Sequence, residues 1–177
     1  YLLSGEIHEA RSQHQPAFLA FSSAARMLPA SPAAQCGLGR AFLVRDDYTT
    51  ALSCFNKALA VDPNHARSLI GAGLAYAGLR NNTAALQHLN KGVAGDDTDA
   101  QAFSTIARIE SARGNRAKAI EALRKATRLD SRNANLHMSL GREYKSVARY
   151  RDAVSSFRKA AQLGGDEMRD AHKYIDN

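Results

Sequence analysis

The side chains that could bind a metal ion or act as nucleophiles are scattered along this sequence of 177 residues. Cys36 and Cys54 have neither the spacing of a zinc knuckle nor that of a redox pair. No two histidines lie three or four residues apart, as a metal-binding helix requires, among His8, His14, His65, His88, His137 and His172. The sequence also lacks a glycine-rich phosphate loop and a nucleophile elbow. We therefore expect two free thiols, no metal site, no cofactor and no enzymatic activity.

Arginine recurs at a fixed spacing along the chain. Arg40, Arg108 and Arg142 occupy positions related by multiples of 34 residues, and Glu6 and Leu74 fill the two remaining places. A guanidinium can donate two parallel hydrogen bonds to a carboxylate. An element repeated every 34 residues would therefore offer the same cationic group several times.

The composition indicates that these elements are helices. The chain is 45% hydrophobic and 23% charged, which suffices for a real core, and it has only four prolines. The segments between the prolines are rich in Ala, Leu, Arg and Lys, which favour helix.

The sequence shows no targeting or membrane-spanning segment. No apolar run reaches the roughly 18 residues of a membrane span, and the stretch that begins at Tyr1 lacks the pattern of a signal peptide. We predict a cytoplasmic location, or a periplasmic or other compartment if an upstream signal has been removed.

Several residue types recur with the same period of 34. A column of small residues consists of Gly5, Gly39, Gly73, Ala107 and Gly141. A column of alanines consists of Ala17, Ala51, Ala85, Ala119 and Ala153. A column of large apolar residues consists of Phe21, Phe55, Leu89, Leu123 and Phe157. Small residues let two antiparallel helices approach closely, and the large column fills the groove between hairpins. Helix N-caps are expected at Ser31, Asp47, Asn81, Asp99, Asn115 and Asn133. Each period is therefore predicted to form a helical hairpin.

With these columns in order, the chain resembles the tetratricopeptide repeat (TPR) family over nearly its whole length. The resemblance implies an all-α fold, a right-handed superhelical α-solenoid of stacked helix-turn-helix hairpins. We divide 1–177 as one array with a truncated repeat at 1–31, full repeats at 32–65, 66–99, 100–133 and 134–167, and a helix at 168–177 that caps the array or begins a further repeat. Glu110 departs from the aromatic column of Phe42, Tyr76 and Tyr144. We expect its carboxylate to reach solvent from the rim, or to pair with Arg113 if it is buried.

The resemblance also implies that the first helix of each repeat lines a concave groove that binds a peptide segment of another protein. Guanidinium groups and aliphatic side chains fall on this surface, and acidic ones are scarce. We therefore predict a non-catalytic scaffold for an acidic segment with a few apolar anchors. The predicted peptide-binding residues are Arg40, Leu43, Arg67, Ile70, Leu74, Arg108, Met138 and Arg142.

Three alternatives to this function stay open at the level of sequence. The net charge of +7 lies entirely in the last two full repeats, where repeat 100–133 carries +5 and repeat 134–167 carries +2. The second helices of these repeats would carry a basic outer surface made of Arg116, Lys118, Arg124, Arg128, Arg151 and Arg158. This surface could attract polyanions, but it shows no stacking platform, so the pattern disfavours nucleic acid. The chain could also recruit substrate as a domain of a larger enzyme, or self-associate through the open ends of the array.

Overall fold

The computed structural model describes residues 1–164, and these residues form α-helices and turns with no strand. The helices are α1 Leu2–Ala10, α2 His14–Met27, α3 Pro32–Leu43, α4 Tyr48–Val61, α5 Ala66–Gly78, α6 Asn82–Gly95, α7 Ala100–Ala112, α8 Arg116–Leu129, α9 Ala134–Ser146 and α10 Tyr150–Gly164. Each predicted repeat thus contributes two helices, and the prediction of an all-α helical-hairpin solenoid is confirmed. The helix predicted at 168–177 lies outside the described residues.

The chain divides into two compact units, Tyr1–Asp97 and Thr98–Asn177. In the N-terminal unit the hairpins α1–α2, α3–α4 and α5–α6 stack in order, and the first helices α1, α3 and α5 adjoin one another. In the C-terminal unit α7 pairs with α8, α8 packs on α9, and α9 pairs with α10. The single array and its superhelical course concern both units together and stay predictions.

The large apolar column explains the stacking of the N-terminal unit. Phe55 on α4 is fully buried. A β-carbon on Gly39 of its own hairpin would lie 2.7 Å from Phe55 Cε1, and one on Gly71 of the next hairpin would lie 2.3 Å from Phe55 Cζ. The ring is therefore held between the backbones of α3 and α5, where a methyl group would not fit. Phe21 has the same relation to Gly5 and Gly37.

Most predicted caps have the expected geometry. The side chains of five N-cap residues accept a backbone N–H from the first turn, namely Ser31, Asp47, Asn81, Asp99 and Asn133. Asn115 begins α8 without a side-chain cap. Its amide Nδ2 instead donates to Glu110 Oε2 at 2.6 Å.

Glu110 corrects one sequence expectation. Its side chain is buried at 6% exposure and does not reach solvent from the rim. Its carboxylate is satisfied by the Asn115 amide. A buried carboxylate needs such a donor, and here the residue that starts the next helix supplies it.

The turn inside each hairpin places one residue in the left-handed region. These residues fall at the same register of the 34-residue period, with φ between 55° and 81°: Ser12, Asp46, Arg80, Gly114 and Ala148. Only Gly114 adopts this conformation without a steric cost. The hairpin geometry is therefore imposed by helix packing at the other four turns.

The thiols give a first testable expectation. Cys36 and Cys54 are both free and buried, and burial raises the pKa of each thiol above its ordinary value. Because the thiolate is the reactive form, both should react slowly with a disulfide reagent such as DTNB in the folded chain and rapidly in denaturant. Intact mass after alkylation in denaturant without reductant should show two modified cysteines. An unmodified mass two hydrogens lighter would mean a disulfide and would contradict this.

Candidate functional site

Arg40 on α3 and Arg67 on α5, the two predicted arginines of the N-terminal unit, already lie close to carboxylates of the same unit. Arg40 Nη2 lies 2.7 Å from Glu9 Oε2. Arg67 Nη1 lies 3.8 Å from Glu6 Oε1, and Arg67 Nε lies 4.0 Å from Asp96 Oδ2. Burial raises the pKa of Glu9, and the neighbouring Arg40 guanidinium opposes this shift. The charge of these two arginines is thus largely neutralised by the chain itself.

The aliphatic residues predicted for the peptide-binding surface of this unit are less accessible than the sequence suggested. Ile70 is buried at 4% exposure, so its side chain belongs to the core and is not an exposed anchor. Leu43 is half-buried against the cluster around Phe55, and Leu74 is also half-buried. Only Leu43 and Leu74 of these three retain surface for a ligand.

In the C-terminal unit the predicted arginines are accessible. Arg108 on α7 and Arg142 on α9 are exposed, and neither forms an ion pair with any residue of the described range 1–164. Met138, predicted beside them as an anchor, is buried at 5% exposure. Two unpaired guanidinium groups therefore project from equivalent positions of two first helices.

A polar network that sequence reasoning missed joins α7, α8 and α9. Ser111 Oγ donates to Glu143 Oε1 at 2.6 Å, and Arg116 Nη1 lies 3.1 Å from Glu143 Oε2. Glu143 immediately follows Arg142, and its side chain is only 12% exposed. The network fixes the turn of α9 that carries Arg142. Its one signal in the sequence is the acidic residue beside the arginine column.

Residues 1–164 contain no group of three His, Cys, Asp or Glu side chains placed to hold a metal ion. Within the same residues, no helix combines the length and apolar character needed to cross a bilayer.

The paired helices and their packing define an α-helical repeat protein. Two sequence profiles of the tetratricopeptide repeat match the chain, one over residues 36–100 and the other over residues 100–133. Together they span more than half of the 177 residues. The chain belongs to the tetratricopeptide repeat family. No curated protein sequence matches it significantly.

Several solved structures resemble the chain closely in fold. PilF of Pseudomonas aeruginosa has a TM-score of 0.79 at 20% identity, over 99% of this chain and 84% of its own. MamA from residue 41 onward, of Desulfovibrio magneticus RS-1, has a TM-score of 0.70 at 25% identity, over 92% and 93%. YrrB, a TPR protein with an unusual peptide-binding site, has a TM-score of 0.68 at 20% identity, over 96% and 87%. The family supports a protein-interaction scaffold, a role that is typically non-catalytic.

Proposed function

We propose that the chain is a scaffold that binds an acidic segment of a partner protein, chiefly through the surface formed by α7 and α9. The observation that carries the proposal is the pair Arg108 and Arg142, exposed and without an ion-pair partner among residues 1–164. Guanidinium groups at matching positions of two first helices can meet carboxylates spaced along one segment. YrrB, a TPR protein with an unusual peptide-binding site, shares the fold, and this supports a peptide as the ligand.

The N-terminal unit has a different part in this proposal. A ligand carboxylate that approaches Arg40 must compete with Glu9 at 2.7 Å, and one that approaches Arg67 must compete with Glu6 and Asp96. Ion pairs exposed to solvent contribute under about 1 kcal/mol each, so exchanging one such pair for another gains little affinity. Acidic recognition is therefore assigned to Arg108 and Arg142. Leu43 and Leu74 offer the apolar contacts of the N-terminal unit.

The test is charge reversal at the two unpaired arginines. Partners would be captured from lysate on the immobilised chain and identified by mass spectrometry. The binding segment of a captured partner would then be titrated into the chain by calorimetry. Losing a guanidinium that is desolvated against a carboxylate costs about 2 kcal/mol or more. Arg108→Glu with Arg142→Glu should therefore weaken binding well over tenfold, remove most of its salt dependence and leave helicity unchanged.

A matched control carries the same change in net charge elsewhere in the C-terminal unit. Lys118 and Arg132 are exposed and have no ion-pair partner within residues 1–164. Lys118→Glu with Arg132→Glu should change affinity less than about threefold, because rim charges mainly affect the association rate. Equal losses in the two double variants would mean that overall charge, and not this surface, attracts the partner.

A further inference from the structure

A second set of arginines without a carboxylate partner among residues 1–164 lines a cavity between the second helices α8 and α10 of the C-terminal unit. This cavity has a volume of about 310 Å³, and Leu140 and Tyr144 of α9 contribute to its lining. Arg124 and Arg128 line it from α8, and Ser155 and Ser156 line it from α10. It shares no lining residue with the surface formed by Arg108 and Arg142. We call it the α8–α10 cavity.

The two arginines of the α8–α10 cavity are available to a ligand. Arg124 and Arg128 lie one helical turn apart, and no carboxylate of residues 1–164 pairs with either of them. Arg128 Nε donates to the Arg124 carbonyl oxygen at 3.3 Å, which orients the guanidinium and leaves its terminal nitrogens free. Both guanidinium groups line the same cavity, and the Arg128 guanidinium is oriented by its own helix.

The remaining polar groups of the cavity are compatible with an anion. Asp152 is the one carboxylate in its lining, and Arg149 neutralises it at 2.7 Å. The Thr127 and Ser156 hydroxyls donate to carbonyl oxygens of their own helices. The Ser155 hydroxyl is exposed and has no such bond within the described residues, so it can donate to a ligand.

A neighbouring cavity strengthens the positive potential. It has a volume of about 450 Å³, shares Ser155 and Ser156 with the α8–α10 cavity, and is lined by Arg151, Arg158 and Lys159. Cations grouped around concave surfaces reinforce one another because the low-dielectric walls focus their field. A dianion is therefore favoured over a single carboxylate.

The chemistry of these donors selects the ligand. Two guanidinium groups and a hydroxyl match the three acceptor oxygens of a phosphate monoester. A nucleic acid would also need a ring on which to stack a base. Tyr144 is buried at 7% exposure, and the Arg149 guanidinium covers its ring at 4.6 Å from the centroid. We propose that the α8–α10 cavity binds a phosphorylated side chain of a protein, with Arg124 and Arg128 holding the phosphate and Ser155 donating to it.

The experiment is an NMR titration of the full chain with the peptide acetyl-Gly-phosphoSer-Gly-amide, followed through backbone amides and arginine Nε–H signals. Residues 124–128 and 152–156 should shift together, and the unphosphorylated peptide should bind at least tenfold more weakly. Arg124→Gln with Arg128→Gln should weaken phosphopeptide binding at least tenfold. Lys118→Gln with Arg132→Gln, which removes the same charge elsewhere, should leave it unchanged.

Three outcomes would overturn the proposal. The first is equal binding of the two peptides, and the second is unchanged phosphopeptide affinity in the Arg124→Gln, Arg128→Gln variant. The third is tighter binding of a single-stranded oligonucleotide or of phosphatidylserine vesicles at the same cavity, which would assign it to nucleic acid or to lipid. The Arg108→Glu, Arg142→Glu variant should bind the phosphopeptide normally, because the two sites are separate. A negative result at one site therefore does not contradict the proposal for the other site.

Discussion

Replacing Gly71 with alanine should lower the free energy of unfolding of the chain by about 2 kcal/mol, and replacing it with leucine should lower it by more than about 3 kcal/mol. A new β-carbon would lie 2.3 Å from Phe55 Cζ and 2.4 Å from Phe55 Cε1. Phe55 is fully buried, so its ring has no space into which it can move. The clash outweighs the helix propensity of about 1 kcal/mol that alanine gains over glycine. Urea unfolding followed by circular dichroism measures the change.

Two variants separate this clash from a general intolerance of glycine substitution. Phe55→Leu should rescue much of the cost of Gly71→Ala, because a leucine is shorter than the ring at the point of contact. Gly95→Ala is the milder control, since its nearest neighbour would be Ala66 Cβ at 3.2 Å. If Gly71→Ala is as stable as the parent, the close packing of Phe55 between α3 and α5 is wrong.

Asn115→Ala should be the second large effect, lowering the free energy of unfolding by about 2 kcal/mol. The variant would leave the buried Glu110 carboxylate without the amide that donates to it at 2.6 Å. An unsatisfied buried carboxylate costs more than a lost solvent-facing hydrogen bond. Chemical unfolding monitored at 222 nm provides the measurement.

Asn81→Ala provides the control, since Asn81 caps α6 by accepting the Ala84 N–H at 3.1 Å. Loss of an ordinary cap costs about 1 kcal/mol. A further variant, Glu110→Tyr, restores the aromatic column and removes the buried carboxylate, so it should be neutral or stabilising. A cost for Asn115→Ala no greater than that for Asn81→Ala would show that Glu110 does not depend on its amide.

The fold was largely predictable because its determinants recur in the sequence. Ser31, Asp47 and Asn81 act as caps through local contacts that a short stretch of sequence reveals. Asn115 occupies the corresponding register but turns to Glu110. The hairpin turns gave little signal, because four of the five left-handed positions are not glycine. There, packing of the helices decides the backbone conformation and local preference does not.

The candidate site was less predictable, because accessibility depends on how each helix is rotated against its neighbours. Ile70 and Met138 fall at positions that the repeat pattern assigned to a ligand surface, yet both are buried. Glu9 and Glu6 come from a different hairpin than Arg40 and Arg67, Asp96 lies at the far end of Arg67's own hairpin, and no spacing rule connects these partners. The sequence therefore located the arginines, but only the structure separates those that have an ion-pair partner from those that have none.

The position of Phe55 between two hairpins also bears on how the gene can change in length. Phe21 meets Gly37 as Phe55 meets Gly71, so the junctions on either side of residues 32–65 are chemically equivalent. Loss or duplication of that stretch would bring another phenylalanine onto another glycine. Removal or duplication of residues 32–65 should therefore preserve the phenylalanine–glycine contact at the new junction without a compensating substitution.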